Sequence, residues 1–218
     1  MTNTNTRNYL TWSRALVACV VLLVVSAHAA NAASIQLFNT GVDGFGALLP
    51  NSTVDPHYSL ISSPAPFTTA YAGNGFNDVQ WLADGPNSRW LGVSTWLAEW
   101  RPTGTYTYRT TFDLSGMSPT TATINISIAS DNTCDVYLNG AHTGITTPFE
   151  GFRAFTSYTI TSGFASGLNT LDFSVYEPGS TPSGLRVEMT GYASAVPEPT
   201  VLAMIGIGGF LFFGRFRK

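Results

Sequence analysis

From Ile35 onward, apolar and polar residues alternate in short runs with a period of two. Between Thr105 and Asp113 the aromatics Tyr106, Tyr108 and Phe112 fall on one face, and Thr107, Arg109, Thr111 and Asp113 on the other. Ile124, Ile126 and Ile128 alternate with Thr123, Asn125 and Ser127. The same holds for Cys134, Val136 and Leu138, for Leu171, Phe173 and Val175, and for Leu185, Val187 and Met189. Clusters of Gly, Pro, Asn, Asp and Ser separate these runs, and no stretch keeps a convincing helical period. Asn139-Gly140, directly after Leu138, is the dipeptide that best suits a type I′ hairpin turn. A strand that is apolar on one face must bury that face against another layer. The pattern therefore predicts an all-β fold of two antiparallel sheets packed face to face.

Both ends of the chain break this pattern. Met1 to Arg14 is polar with only positive charges, Ala15 to Val25 is almost wholly apolar, and Ala27-His28-Ala29 then presents small residues at the spacing that signal peptidase reads. Ala30-Asn31-Ala32 offers a second such site. The apolar run is short for a spanning helix and suits a signal core, so residues 1–33 are predicted to be a cleavable signal peptide. Leu16-Val17-Ala18-Cys19 has the form of a lipobox, but it would leave only Ala15 to Ala18 as apolar core, too short to engage export.

At the other end, residues 196–218 run from Val196-Pro197-Glu198-Pro199 through the apolar Val201 to Phe213 into Arg215-Phe216-Arg217-Lys218. Thirteen apolar residues at ~1.5 Å each reach roughly 20 Å, short of a hydrocarbon core of ~30 Å. Extending the helix to Pro199 and Phe216, with the basic side chains snorkelling, closes most of the gap. Arg215, Arg217 and Lys218 are then expected on the cytoplasmic side of a transmembrane anchor, with the β domain of residues 34–195 outside. That domain is long enough to bury a core without disulfides or metal.

Charge narrows the range of partners. The whole chain carries −3, but half of its basic residues lie in the two ends. Residues 34–195 hold five arginines against twelve carboxylates, a formal charge of −7, and no lysine. Such a surface repels phosphate backbones, which excludes nucleic acid as a partner. Cys134 is the one cysteine left after signal removal, and its alternation with Val136 and Leu138 marks a buried strand position rather than a reactive thiol.

The ordered C-terminal segment, Pro197-Glu198-Pro199, then an apolar stretch, then a basic end, resembles the PEP-CTERM sorting signal of Gram-negative bacteria. The resemblance implies recognition of Pro197, Glu198 and Pro199 by an exosortase, in cells that often make exopolysaccharide. It also implies passage through the inner membrane before processing, then residence at the cell surface or in the extracellular matrix. Tyr106 to Leu114, Ala129 to Gly140 and Gly167 to Val175 resemble three successive strands of the galactose-binding-like jelly roll. Asp55-Pro56-His57-Tyr58 and Pro182 to Glu188 resemble segments that recur in PEP-CTERM ectodomains.

Catalytic and metal chemistry is hard to assemble from what remains. His57 and His142 are isolated, and a zinc site needs three or four clustered ligands. Gly92-Val93-Ser94-Thr95-Trp96 lacks the second glycine of a nucleophile elbow. Asp113, Asp131 and Asp135 lie at strand ends and turns, where carboxylates cap backbone groups. Asp131 to Asp135 places oxygen ligands at alternate positions but lacks the glycine and distal glutamate of a calcium loop. No cofactor, metal or catalytic residue is expected.

The tryptophans Trp81, Trp90, Trp96 and Trp100 are the most suggestive group, since indole rings stack on the apolar faces of sugars; indoles also fill sandwich cores. Asn132 and Arg153 are loop residues able to join a sugar site. The expected function is a non-catalytic surface or matrix protein that binds carbohydrate, plausibly exopolysaccharide. A self-associating structural envelope protein is the alternative, and a polysaccharide hydrolase has least support.

Overall fold

The computed structural model describes residues 31–73, 80–95, 101–179 and 182–196. The expected signal peptide, Trp96, Trp100, the Pro197-Glu198-Pro199 motif and the basic residues Arg215, Arg217 and Lys218 lie outside the described residues.

Among the described residues twelve strands follow in order: β1 (Ala32–Ser34), β2 (Thr53–Val54), β3 (Ser59–Ser62), β4 (Tyr71–Gly73), β5 (Trp90–Gly92), β6 (Gly104–Asp113), β7 (Thr123–Asp131), β8 (Thr133–Leu138), β9 (Ala141–Thr146), β10 (Thr156–Ile160), β11 (Leu168–Glu177) and β12 (Gly184–Ser194). They form two antiparallel sheets. One is five-stranded, in the order β3-β6-β11-β8-β9; the other is seven-stranded, in the order β10-β7-β12-β5-β4-β2, with β1 added against β12. This is the two-sheet antiparallel sandwich expected from the alternation, and the jelly roll that the resemblance implied; all of it lies within one compact unit, Ala32–Ala195.

The faces are assigned as the period of two requires. Tyr106, Tyr108 and Phe112 of β6, Val136 of β8 and Phe173 of β11 point inward from the five-stranded sheet. Ile124, Ile126 and Ile128 of β7 meet them from the other side, with Leu185 and Val187 of β12. At ~25 cal/mol per Å² of apolar surface removed from water, each such side chain contributes roughly 1.5–3 kcal/mol, so this shared layer dominates stability. Cys134 lies in the layer, and burial raises its thiol pKa far above the ordinary value, leaving it inert. On the solvent face of the five-stranded sheet, Arg109 and its cross-strand partner Asp172 form a two-pronged ion pair, 2.6 and 2.7 Å long.

Turns obey the local chemistry. Asn139 and Gly140 take φ of 52° and 80°, and Leu138 pairs with Ala141 across them, which is the two-residue hairpin the dipeptide predicts. Asp55 clasps the loops before β3. Its buried carboxylate accepts the backbone N–H groups of Gly41 (2.7 Å), His57 (2.8 Å) and Tyr58 (3.0 Å), and the Tyr58 hydroxyl donates to the Phe38 carbonyl at 3.0 Å.

Candidate functional site

The inward face of the seven-stranded sheet is filled by the core. Among the described residues its outward face is divided in two: loops cover one half, and the other half is open.

The covered half holds the tryptophans. Trp90 of β5 points away from the main core, and Trp81 packs on it with ring centroids 4.4 Å apart. Both join Ala129 of β7 in a second apolar cluster closed by Leu82, Phe152 and Phe155. The Trp90 indole N–H donates to the Leu82 carbonyl at 2.9 Å, and the Leu82 N–H donates to the Phe152 carbonyl at 2.8 Å, which ties the two covering loops together. Gly184 permits this approach, since a Cβ there would stand 3.1 Å from the Trp81 ring. Beneath Phe155, Arg186 donates through Nε to Ser88 Oγ at 2.7 Å and through Nη1 to the Ala83 carbonyl. Trp90 is 0 % exposed and Trp81 9 %. Their rings pack inside the protein and offer no stacking face to a sugar, which corrects the expectation for this pair. Their indoles extend the core through a sheet whose outward side is roofed.

Next to this cluster lies a group of buried charges. Burial, with the nearby Glu177 carboxylate adding to it, pushes the Asp131 carboxyl up to about 7, and a hydrogen bond from Trp81 partly offsets the rise. Glu177 is fully buried, accepts the Gly179 N–H at 2.9 Å and lies 3.4 Å from the Asn132 amide. Asn132 is thus an interior residue and not a loop contact for sugar. Arg153, exposed, is held by Glu150 at 3.2 Å and by Gln80 at 3.1 Å. His57 stacks on Phe38, whereas His142 sits 3.6 Å from Asp135. Among the described residues no group of three or more His, Cys, Asp or Glu is arranged to hold a metal.

The open half is a grid of small polar side chains set by strand register. Ser157, Ser127 and Glu188 form one row across β10, β7 and β12; Thr159, Asn125 and Thr190 form the next; Thr123 and Tyr192 pair in a third. The rows are linked internally: Ser127 and Ser157 share a hydrogen bond of 3.0 Å, Thr159 donates to Asn125 Oδ1 at 3.0 Å, and Ser88 donates to Glu188 at 2.7 Å. With Asn39 and Asn87 the first two rows line a shallow depression of about 500 Å³. A second hollow of about 320 Å³ adjoins it, sharing Asn39 and Met189, and is walled by Leu37, Phe38, Val42 and Phe45. Hydroxyls and amides that both donate and accept suit a ligand rich in hydroxyl groups.

The polar rows escape a residue-by-residue search because the polar half of any sandwich strand looks like plain solvent face. The visible hint is Phe45, an aromatic set between two glycines where no apolar period needs one.

Residues 195–218 match the PEP-CTERM protein-sorting motif. The chain carries a PEP-CTERM sorting signal. Such a signal marks an exported protein that transits the membrane of a Gram-negative bacterium and is processed by exosortase. No curated protein matches the chain. Among solved structures it is similar to a CBM35 from Paenibacillus barcinonensis, at 15% identity and a TM-score of 0.34, covering 62% of this chain and 92% of that one. It is also similar to a family 29 carbohydrate binding module, at 10% identity and 0.34, covering 79% and 98%. A third is the CBM36-1 domain of a multidomain xylanase from the hindgut metagenome of Trinervitermes trinervoides, at 14% identity and 0.30, covering 77% and 100%.

Proposed function

We propose that this PEP-CTERM protein is a non-catalytic component of the cell surface or extracellular matrix, and that its jelly-roll domain binds carbohydrate on the open half of the seven-stranded sheet. The observation that carries the binding reading is the grid itself: Ser127, Ser157, Asn125, Thr159 and Thr190 on adjacent strands, facing one depression. Each can give and take hydrogen bonds with sugar hydroxyls, and the sheet holds them in fixed register, so binding costs little side-chain ordering.

Signal peptidase removes the leader, the C-terminal segment of residues 196–218 holds the protein in the inner membrane, and exosortase acts at Pro197-Glu198-Pro199 to pass the domain outward. An exopolysaccharide of the same cell is the natural ligand in that setting.

The test is affinity electrophoresis of the processed protein, recovered from exporting cells, through gels containing a panel of soluble polysaccharides. Retardation by at least one is the expected result. Free migration through every gel, with oligomers that grow with concentration, would replace this reading by a self-associating structural protein.

A further inference from the structure

Phe45 is 99 % exposed, yet the turn that carries it is closely held. The Asp43 carboxylate accepts the N–H groups of Phe45 at 2.8 Å and Ala47 at 2.9 Å. The Asp43 N–H donates to the Ala47 carbonyl at 2.8 Å, and the Gly46 N–H returns to the Asp43 carbonyl at 3.1 Å. Gly46 supplies the left-handed corner at φ +81°, and Val42 bridges Leu48 at the base. A phenyl ring left in water forgoes the roughly 1.5–3 kcal/mol that burial would return. The backbone beneath it is held in place, so the ring can meet a partner without the loop first losing its freedom. The hollow beside it shares the lining residues Asn39 and Met189 with the polar depression, so ring and grid belong to two adjoining hollows, together a groove for one extended ligand.

Charge limits what the groove can take. Every arginine of the domain is engaged within the fold: Arg109 with Asp172, Arg153 with Glu150, Arg186 with Ser88, Arg101 with Ser94 and Arg89 with Asn51. The domain has no lysine, and the charged group on the grid is the Glu188 carboxylate. Arg186 Nη2 stands 3.6 Å from that carboxylate and answers its charge within the fold, so the groove offers a uronate or sulfate chain no cation to pair with.

We propose that this groove binds an uncharged glycan chain, with Phe45 as the ring on which one sugar stacks and the Asn125–Thr159–Thr190 row as its hydrogen-bonding floor. The proposal rests on the carbohydrate reading above and adds the site, the stacking residue and the ligand class. Because the Phe45 side chain is almost wholly exposed, its removal leaves the fold intact, and thermal unfolding of Phe45→Ala should match that of the parent.

The experiment compares the processed protein with Phe45→Ala, Phe45→Tyr, Asn125→Ala and, as a control on the opposite sheet, Leu168→Ala. Each is titrated with soluble neutral polysaccharides (a β-glucan, a galactan, a xylan) and acidic ones (alginate, polygalacturonate), at low and high salt. The expected result is binding to a neutral chain that salt leaves unchanged, weakened about tenfold by Phe45→Ala and kept by Phe45→Tyr. Asn125→Ala should weaken binding too, whereas Leu168→Ala should not. Neutral binding that Phe45→Ala and Asn125→Ala both leave untouched overturns the site but keeps the carbohydrate reading. Salt-sensitive binding confined to the acidic polymers overturns the ligand class alone. No binding by the parent protein to any polymer overturns both.

Discussion

Single carboxylates hold more of this structure together than their number suggests. Asp55 satisfies three backbone N–H groups from two separate loops, and all three would lose their partner in Asp55→Ala. With about 1–3 kcal/mol for each unsatisfied buried donor, partly relieved by water entry, the expected loss is about 3–5 kcal/mol. It would be read as a lower urea midpoint at unchanged m-value. Asp55→Asn keeps one acceptor oxygen and should lose less.

Asp131 acts in the opposite sense. Its carboxyl titrates at about 7 in the folded protein, above the ordinary 3.8, so folding favours the protonated form. That contribution is complete below about pH 3.8 and is lost progressively as pH rises from there through about 7, roughly 4 kcal/mol in all, of which somewhat under ~3 kcal/mol falls above about pH 5. The domain should therefore melt at higher temperature near about pH 5 than near about pH 8.5, and Asp131→Asn should flatten much of that slope. An unchanged slope in the variant would assign the dependence to other groups.

At the scale of elements, the pairing of β1 bears on which of the two expected signal-peptidase sites would be used. Ala32, Ala33 and Ser34 pair with Ser194, Ala193 and Tyr192, and the Ile35 N–H donates to the Gly191 carbonyl at 3.0 Å. A cut after Ala29 leaves this strand whole, whereas a cut after Ala32 removes its first residue and frees the edge of β12 beside it. Of the two small-residue sites at Ala27-His28-Ala29 and Ala30-Asn31-Ala32, the first is the one compatible with the complete sheet. N-terminal sequencing of the exported protein should find Ala30, and a start at Ala33 would contradict this.

For the whole molecule, the sorting motif makes export and processing the events that decide where the domain works. Replacing Pro197-Glu198-Pro199 by alanines should leave the uncut protein in the inner membrane, while the parent loses its C-terminal segment and appears outside. Mass measurement on fractionated cells distinguishes the two. If both stay intact in the inner membrane, the segment is an anchor and the link to matrix assembly falls. The domain's charge of −7 also bears on its surroundings, since an acidic matrix polymer would repel it at low salt.

The period-two alternation of Tyr106, Tyr108 and Phe112, or of Ile124, Ile126 and Ile128, already specified which side of each strand is buried, because a half-buried strand has no other way to satisfy both faces. Asn139-Gly140 specified its turn for an equally local reason: both residues tolerate positive φ. The sorting segment, too, is a linear signal read by an enzyme along the chain. The partner of each polar face was not local. Trp90 reads the same whether the outward side of β5 is roofed or open, and its roof comes from residues near 82 and 152, brought over it by the sheet. Ser157, Ser127 and Glu188 become one row only when β10, β7 and β12 align, across sequence separations that no local pattern encodes. Burial is written in the period of a single strand, whereas a binding face is written in the register between strands, and register is a property of the folded sheet.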